Sequence, residues 1–226
     1  MDKFIEINNI FFKYNKGQNI FNDFSLKLDC RENTMLIGHN GSGKTTLSKL
    51  IMGINKPQKG EINIFGQSSY KMTLGQVGGL VGYVFQYPER QLFARSVMDE
   101  LTFPLIIKGI SEDEANNQAE ELLSIFELQN VRNSHPFYLS YGEKRRLAIA
   151  SVLMNKPKYL ILDEPTASLD RERIDSLSDV LYRLKERDLN ILAISHNKDF
   201  INKHGERIIK LEGGKIVSDI RTETGS

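Results

Sequence analysis

A chain of 226 residues is long enough to bury a sizeable core in one compact unit, and 40% hydrophobic with 26% charged residues is the make-up of an ordinary soluble protein. Thirty Lys and Arg against 29 Asp and Glu leave no bulk field for steering onto nucleic acid or anionic lipid, so no nucleic-acid partner is expected. No apolar run approaches the roughly 20 residues that cross a bilayer, and "MDKFIEINNI" has neither the apolar stretch nor the cleavage site of a secretion signal. A membrane role must then be peripheral and work through partners. The single cysteine, Cys30, builds no internal disulfide framework; it points to a reducing cytoplasm and reads as a small buried hydrophobe.

In chain order, "FIEINNIFFKY" and "NIFNDFSLKL" alternate apolar and polar residues over part of their length around Asn15, Lys16 and Gly17, and predict antiparallel strands with one wet face. "TMLIG" is a short apolar run, the pattern of a strand buried on both faces. "KTTLSKLIMG" predicts a helix ending near Gly53, "GEINIFG" a strand, and "LVGYVFQ" (80–86) a buried strand ending at Gln86. From Tyr87 to about Tyr138 the pattern is helical, with a capping box expected from Ser111 and Glu114 before "EDEANNQAEELLSIFEL". "EKRRLAIASVLM" predicts a helix and "KYLILDEP" a strand. "RERIDSLSDVLYRLKERD" places Ile174, Leu177, Leu181 and Leu184 on one helical face. "NILAIS" is a strand stopping at His196, and "ERIIKLEGGKIVSDI" a hairpin turning at Gly213 and Gly214. The closing "RTETGS" is polar and expected to fray. Strands alternating with helices predict an α/β fold with a parallel sheet covered on both faces, and ligands then bind at the carboxyl ends of the strands, here near Gly38, Gln86, Asp163 and His196.

"GHNGSGKTT", from Gly38 through His39, Asn40, Gly41, Ser42, Gly43, Lys44 and Thr45 to Thr46, follows a strand and opens a helix. Glycines at 38, 41 and 43 let backbone N–H groups converge and let phosphates approach, and the helix adds its positive end. Lys44 reaches β- and γ-phosphates, and the Thr45 hydroxyl suits Mg²⁺. Asp163 at the tip of "YLILDEP" suits the same ion, and Glu164 is placed to orient or deprotonate a water. These two motifs indicate a nucleotide triphosphatase or a kinase, without choosing between them. "LSYGEKRR" (139–146) puts Ser140 and Gly142 at a helix entrance, which fits either a second anion site or an ordinary serine cap.

Taken in this order, the motifs resemble those of the ATP-binding-cassette ATPases from about Phe4 to Ile220. "GHNGSGKTT" resembles the first Walker motif, "YLILDEP" the second, "LSYGE" the family signature and "SLD" the D-loop, while His196 resembles the switch histidine and Gln86 the Q-loop glutamine. The resemblance implies a P-loop NTPase fold, RecA-like and mainly parallel, in a single unit spanning 1–226, with an N-terminal antiparallel β subdomain and a helical subdomain inserted at about 87–157. It implies ATP and Mg²⁺ as cofactors, with Thr45, Gln86 and Asp163 on the metal, Tyr14 stacked on adenine (Phe12 second), and Glu164, His196, Lys44 and Gln86 at the reacting phosphate. It also implies that two cassettes face head to tail, so that Ser140, Gly142 and Asp170 reach the nucleotide of the partner cassette, identical or not. The departure is Tyr141, where the family pattern has its first signature glycine; Glu143 stands for Gln.

"VFQYPERQLFARSVMDELTFPL" resembles the segment after the Q-loop in ATPases of energy-coupling factor transporters, with Gln86, Pro88, Glu89, Gln91, Leu92 and Phe93 fitting Q-x-P-[DE]-x-Q-[LI]-F. That resemblance implies an importer of a vitamin or transition-metal ion, sited at the cytoplasmic face of the membrane, with a transmembrane coupling subunit and a substrate-binding membrane subunit as partners. Leu92 and Phe93 suit either a docking edge or packing of the helical region. An extra C-terminal dimerisation domain, carried by many of those relatives, is not expected. Another short transporter cassette, a soluble cassette acting on nucleic acid and an idle nucleotide-binding module are the competing readings.

Overall fold

The computed structural model describes residues 3–15, 17–167 and 169–222. Lys16, Ser168 of the "SLD" stretch and the last four residues of "RTETGS" lie outside the described residues. The expected antiparallel pair is β1 (Phe4–Lys13) and β2 (Asn19–Asp29), joined in one sheet by β4 (Lys59–Ile64) and β5 (Gln67–Ser68) in the order β2-β1-β4-β5. Ile5, Ile7, Ile10 and Phe12 alternate inward along β1 and meet Phe21, Phe24, Leu26 and Leu28 of β2, leaving the other face wet.

The second sheet holds β3 (Thr34–Ile37), β6 (Val81–Val84), β7 (Tyr159–Asp163), β8 (Ile191–Ile194), β9 (Arg207–Glu212) and β10 (Lys215–Arg221), in the order β10-β9-β3-β8-β7-β6. The β9–β10 hairpin is antiparallel and every other pairing is parallel. The strands from β3 to β6 read as continuous apolar runs because both faces are covered. On β7, Tyr159 and Ile161 belong to a core shared with the antiparallel sheet and α1 (Lys44–Ile51), whereas Leu160 and Leu162 point into a second core. That second core is filled by α3 (Val97–Ile106), α4 (Glu112–Ile125), α5 (Tyr141–Leu153), α6 (Arg171–Lys185) and α7 (Lys198–His204). Leu177, Leu181 and Leu184 are buried along α6 with Ile174 packed beside them, as the periodicity requires. Cys30 is buried in the first core.

Several expectations are corrected. The strand over 80–86 is shorter: Leu80 ends α2 (Leu74–Leu80), and beyond Val84 the Phe85 N–H donates to the side chain of Gln91 at 3.3 Å instead of to a neighbouring strand. The stretch from Tyr87 to Tyr138 is α-helical only in α3 and α4, the rest being single 3₁₀ turns at Pro88–Arg90, Gln129–Val131 and Pro136–Tyr138 and irregular chain. At α4 half of the capping box forms. Ser111 accepts from the Glu114 N–H, but the Glu114 carboxylate accepts from Gln118 instead. The chain end is tied longer than expected: Arg221 pairs with Glu32 and Thr222 donates to the Gly205 carbonyl. Among the described residues no helix is long and apolar enough to cross a membrane.

Candidate nucleotide site

The loop from Gly38 to Gly43 links the buried tip of β3 to α1. At Gly38 a Cβ would lie 2.2 Å from the Leu211 carbonyl oxygen, so only glycine lets the chain pass β9 there. Gly43 caps α1 at φ 106° with no side-chain cap, which leaves the helix's first N–H groups for a ligand. The Lys44 ammonium folds back over the loop and donates to the carbonyls of Gly38 (2.7 Å) and His39 (3.0 Å). Burial lowers its pKa, against the opposing pull of Glu164 and Asp163.

The loop forms one wall of an open cavity of about 810 Å³. Tyr14, Asn40, Gly41, Gly43, Lys44, Thr45, Thr46, Gln86, Glu164 and His196 all line it, as do Ile20, Thr166, Ala167 and Asn197, which the sequence reading does not single out. Residues spread from position 14 to position 197 thus converge because β3, β6, β7 and β8 end side by side. Tyr14 is half exposed at the rim and edge-on to Phe12, which is buried; Tyr14 is therefore the aromatic open to a base. Its hydroxyl lies 3.4 Å from Thr46 Oγ1.

Behind the loop, Thr45 Oγ1 donates to Asp163 Oδ1 at 3.2 Å, and the Tyr83 hydroxyl donates to Asp163 Oδ2 at 2.9 Å. Burial raises the Asp163 pKa and those two hydrogen bonds oppose the rise. A hydroxyl and a carboxylate already in contact, with the Gln86 amide at the same cavity, form a hard-oxygen set that fits Mg²⁺ completed by phosphate and water. Among the described residues no group of three or more His, Cys, Asp or Glu is arranged to hold a metal ion by itself. Glu164 follows Asp163 with a left-handed backbone, at φ 49°. Its carboxylate meets His196 Nε2 at 3.1 Å. Burial pushes the Glu164 pKa up to about 6, opposed by Lys44 and aided by Asp163. Burial and then the charges of Lys44 and His39 lower the His196 pKa, so at neutral pH the contact is a neutral imidazole beside a carboxylate. A carboxylate with this pKa can take a proton from water near neutral pH.

Ser140, Gly142 and Asp170 do not line this cavity. Ser140 caps α5 in a full capping box with Glu143 and is exposed. Asp170 caps α6 and shares a separate groove with Arg146 and Arg173. Tyr83 and Arg145 escaped the sequence reading, because the groups they hold lie 80 and 59 residues away along the chain and no local pattern links them.

The model of the "ABC transporter" family matches residues 21–167. This chain belongs to the ABC transporter family. It is an ATP-binding ATPase cassette with the P-loop NTPase fold. Energy-coupling factor transporter ATP-binding protein EcfA2 of Ligilactobacillus salivarius is 39% identical to this ABC ATPase over 87% of the chain and 70% of the relative. Among solved structures, cbiO1 of Clostridium perfringens, described as part of the ABC transporter complex cbiONQ, aligns with a TM-score of 0.89 at 28% identity, over 98% of this chain and 89% of that one. The cassette MJ0796, in a dimeric post-hydrolysis state with ADP and Pi, aligns at 0.84 and 26% over 96% and 98%. Some curated relatives are longer, and the chain spans 34–38% of them.

Proposed function

We propose that this ABC ATPase is the ATP-hydrolysing subunit of an importer of the energy-coupling factor type, taking up a vitamin or a transition-metal ion. It is a single unit with an inserted helical region at about 87–157, held at the cytoplasmic face of the membrane by a coupling subunit and a substrate-binding subunit. The observation that carries the enzymatic part is the Glu164–His196 pair at 3.1 Å, set in the cavity that also holds Lys44. Lys44 neutralises charge on the β- and γ-phosphates, and the N–H groups at the start of α1 cradle them. Tyr14 stacks on the adenine. Glu164 accepts the proton of the attacking water, while neutral His196 has a single N–H, which orients that carboxylate here and turns to the γ-phosphate once ATP is bound. Thr45, Gln86 and Asp163 would hold Mg²⁺, which when bound offsets charge on the transferred phosphoryl group. His39, Asn40, Gly41, Ser42 and Thr46 shape the loop around the triphosphate.

A second cassette, identical or not, completes the site with its Ser140, Gly142 and Asp170. The exposure of Ser140 and Asp170, with Gly142 partly exposed, all outside the cavity, supports this, as does the dimeric state of MJ0796. The importer type is supported by the likeness to EcfA2 and cbiO1 and by the segment after Gln86. Within that segment Leu92 packs against the helical core, while Phe93 is 68% exposed and edge-on to Phe103 at 5.1 Å, an apolar edge fit to receive a helix of a coupling subunit.

Glu164→Gln is expected to bind ATP normally, to lower phosphate release by about 100-fold or more, and to accumulate as a closed dimer on size exclusion. Turnover near the wild-type rate in that variant would remove Glu164 from its role. Isolation of the chain from native membranes is expected to bring with it a small pair of integral-membrane proteins, one of them solute-binding; recovery with nucleic acid alone would overturn the importer assignment.

A further inference from the structure

Arg145, in the second turn of α5, is 2% exposed, yet among the described residues it makes no ion pair. Its guanidinium is held by neutral oxygens. Nη2 donates to the Tyr141 hydroxyl at 2.6 Å and to the Gln86 carbonyl at 3.0 Å, and Nη1 reaches the Glu164 carbonyl at 3.4 Å. The Tyr141 hydroxyl in turn donates to the same Gln86 carbonyl at 3.4 Å, and the guanidinium carbon sits 5.2 Å from the Tyr141 ring centre. A buried cation without a counter-ion is costly unless its donors are hydrogen-bonded; both Nη atoms are, whereas Nε, also buried, has no hydrogen-bond partner among the described residues. The two carbonyls that accept belong to the backbones of two cavity residues that lie just beyond the ends of strands. Gln86 lies two residues past the end of β6. Glu164 lies one past β7 in a left-handed conformation uncommon for a residue with a side chain. The Glu164 N–H is fixed by the Ile194 carbonyl at 3.0 Å, and Arg145 fixes the carbonyl of the same residue.

We propose that Arg145, braced by Tyr141, is a positioning residue for ATP hydrolysis: it fixes the peptides of Gln86 and Glu164 to the first turns of α5, the helix whose cap is Ser140. The chemistry requires a guanidinium, since only its planar fork serves two carbonyls and a phenol at once; an ammonium offers no such fixed geometry. Tyr141 then has a reason to stand where the family pattern has glycine. Its hydroxyl closes the hydrogen-bonded ring, and its ring covers the cation. Any tilt of α5 on engaging a second cassette is passed to the Glu164 carboxylate and to the start of the segment after Gln86. This inference rests on the assignment of Glu164 and Gln86 to the hydrolytic site.

The test uses the full chain with its co-purifying membrane subunits, in four variants: Glu164→Gln as reference, Tyr141→Phe, Arg145→Lys, and the double variant Tyr141→Phe/Arg145→Lys. Each is measured for kcat, KM for ATP and melting temperature. Tyr141→Phe is expected to lower kcat by about threefold to tenfold and Arg145→Lys by about 10- to 100-fold, with KM within about twofold and melting unchanged. The double variant is expected to lose less than the product of the two single losses, because phenol and guanidinium bond to each other and hold the same Gln86 carbonyl. Wild-type kcat in both single variants, strictly additive losses in the double variant, or losses of kcat that track losses of melting temperature would each overturn the inference. If Arg145→Lys fails to fold, Tyr141→Phe decides alone, wild-type kcat overturning the inference. Turnover in Glu164→Gln would instead sink the underlying assignment. An inactive reference beside fully active Tyr141→Phe and Arg145→Lys would sink only the positioning role.

Discussion

The N-termini of α1 and α5 carry similar letters, Ser-Gly-Lys before one and Ser-Tyr-Gly-Glu at the other, and are built to opposite ends. At α1 the cap is Gly43, no side chain competes for the first N–H groups, and the Lys44 ammonium overhangs the loop. At α5 the cap is Ser140, whose hydroxyl accepts from the Glu143 N–H while the Glu143 carboxylate accepts from the Ser140 N–H. Contact with Ser140 holds that carboxylate below its ordinary pKa, so the α5 terminus carries a negative charge at neutral pH. One terminus is an open receptor inside a cavity. The other is a satisfied surface that takes up phosphate only when one is delivered against it. The difference teaches that a Ser/Gly-bearing helix start is not by itself a phosphate site; what matters is whether its own side chains have already used the donors.

The largest expected effect tests the open terminus. Lys44→Ala should weaken MgATP binding by at least about 30-fold, the scale of losing one partner of a buried charge pair; calorimetry on the isolated chain measures it. Ser140→Ala leaves that terminus intact. Binding to the isolated chain should stay within about twofold while turnover of the assembled enzyme falls by about 10- to 100-fold, as for loss of one hydrogen bond to a charged group. Equal losses in both measurements would erase the contrast between the two helix starts. The third test is pH. Glu164 must be deprotonated to accept a proton, and its pKa is pushed up to about 6, so kcat/KM should rise with pH through a midpoint near 6 and be about tenfold lower at pH 5 than at pH 7. An acid limb centred near 4.5 would mean that a different, solvated carboxylate is the base. The smallest effect sharpens the comparison. Glu143→Gln keeps the capping box but removes the charge, and should tighten ATP-dependent pairing of cassettes by about twofold to fivefold, the range for one charge at a helix end. It should leave the acid limb unmoved.

Much of this was legible in the chain because it is written locally. The phosphate loop is nine consecutive residues, and the buried strands announce themselves as apolar runs ending in Asp163 or just before His196. Helix α2 was not legible: "LGQVGGL" is poor helix-forming sequence, and it is held by the Thr73–Gln76 capping box and by burial of Val77 in the first core. Helix α7 is only seven residues long and is fixed by the Asn197 cap and the burial of Phe200 and Ile201, which no periodicity of that length reveals. Within the site, the letters that fit chemical motifs were readable, whereas the side chains that hold them were not. Tyr83 and Arg145 act across strand and helix boundaries, and their partners are neighbours only once the sheet is assembled.

The rear of the phosphate loop rests on the β9–β10 hairpin. The Gly214 N–H donates to the Ser42 carbonyl at 3.2 Å, and the Leu211 carbonyl crowds Gly38. The grip on ATP is therefore braced by a ribbon some 170 positions downstream. Loosening that ribbon would cost nucleotide affinity before it unfolded anything, and occupancy of the loop should slow amide exchange at the hairpin tip.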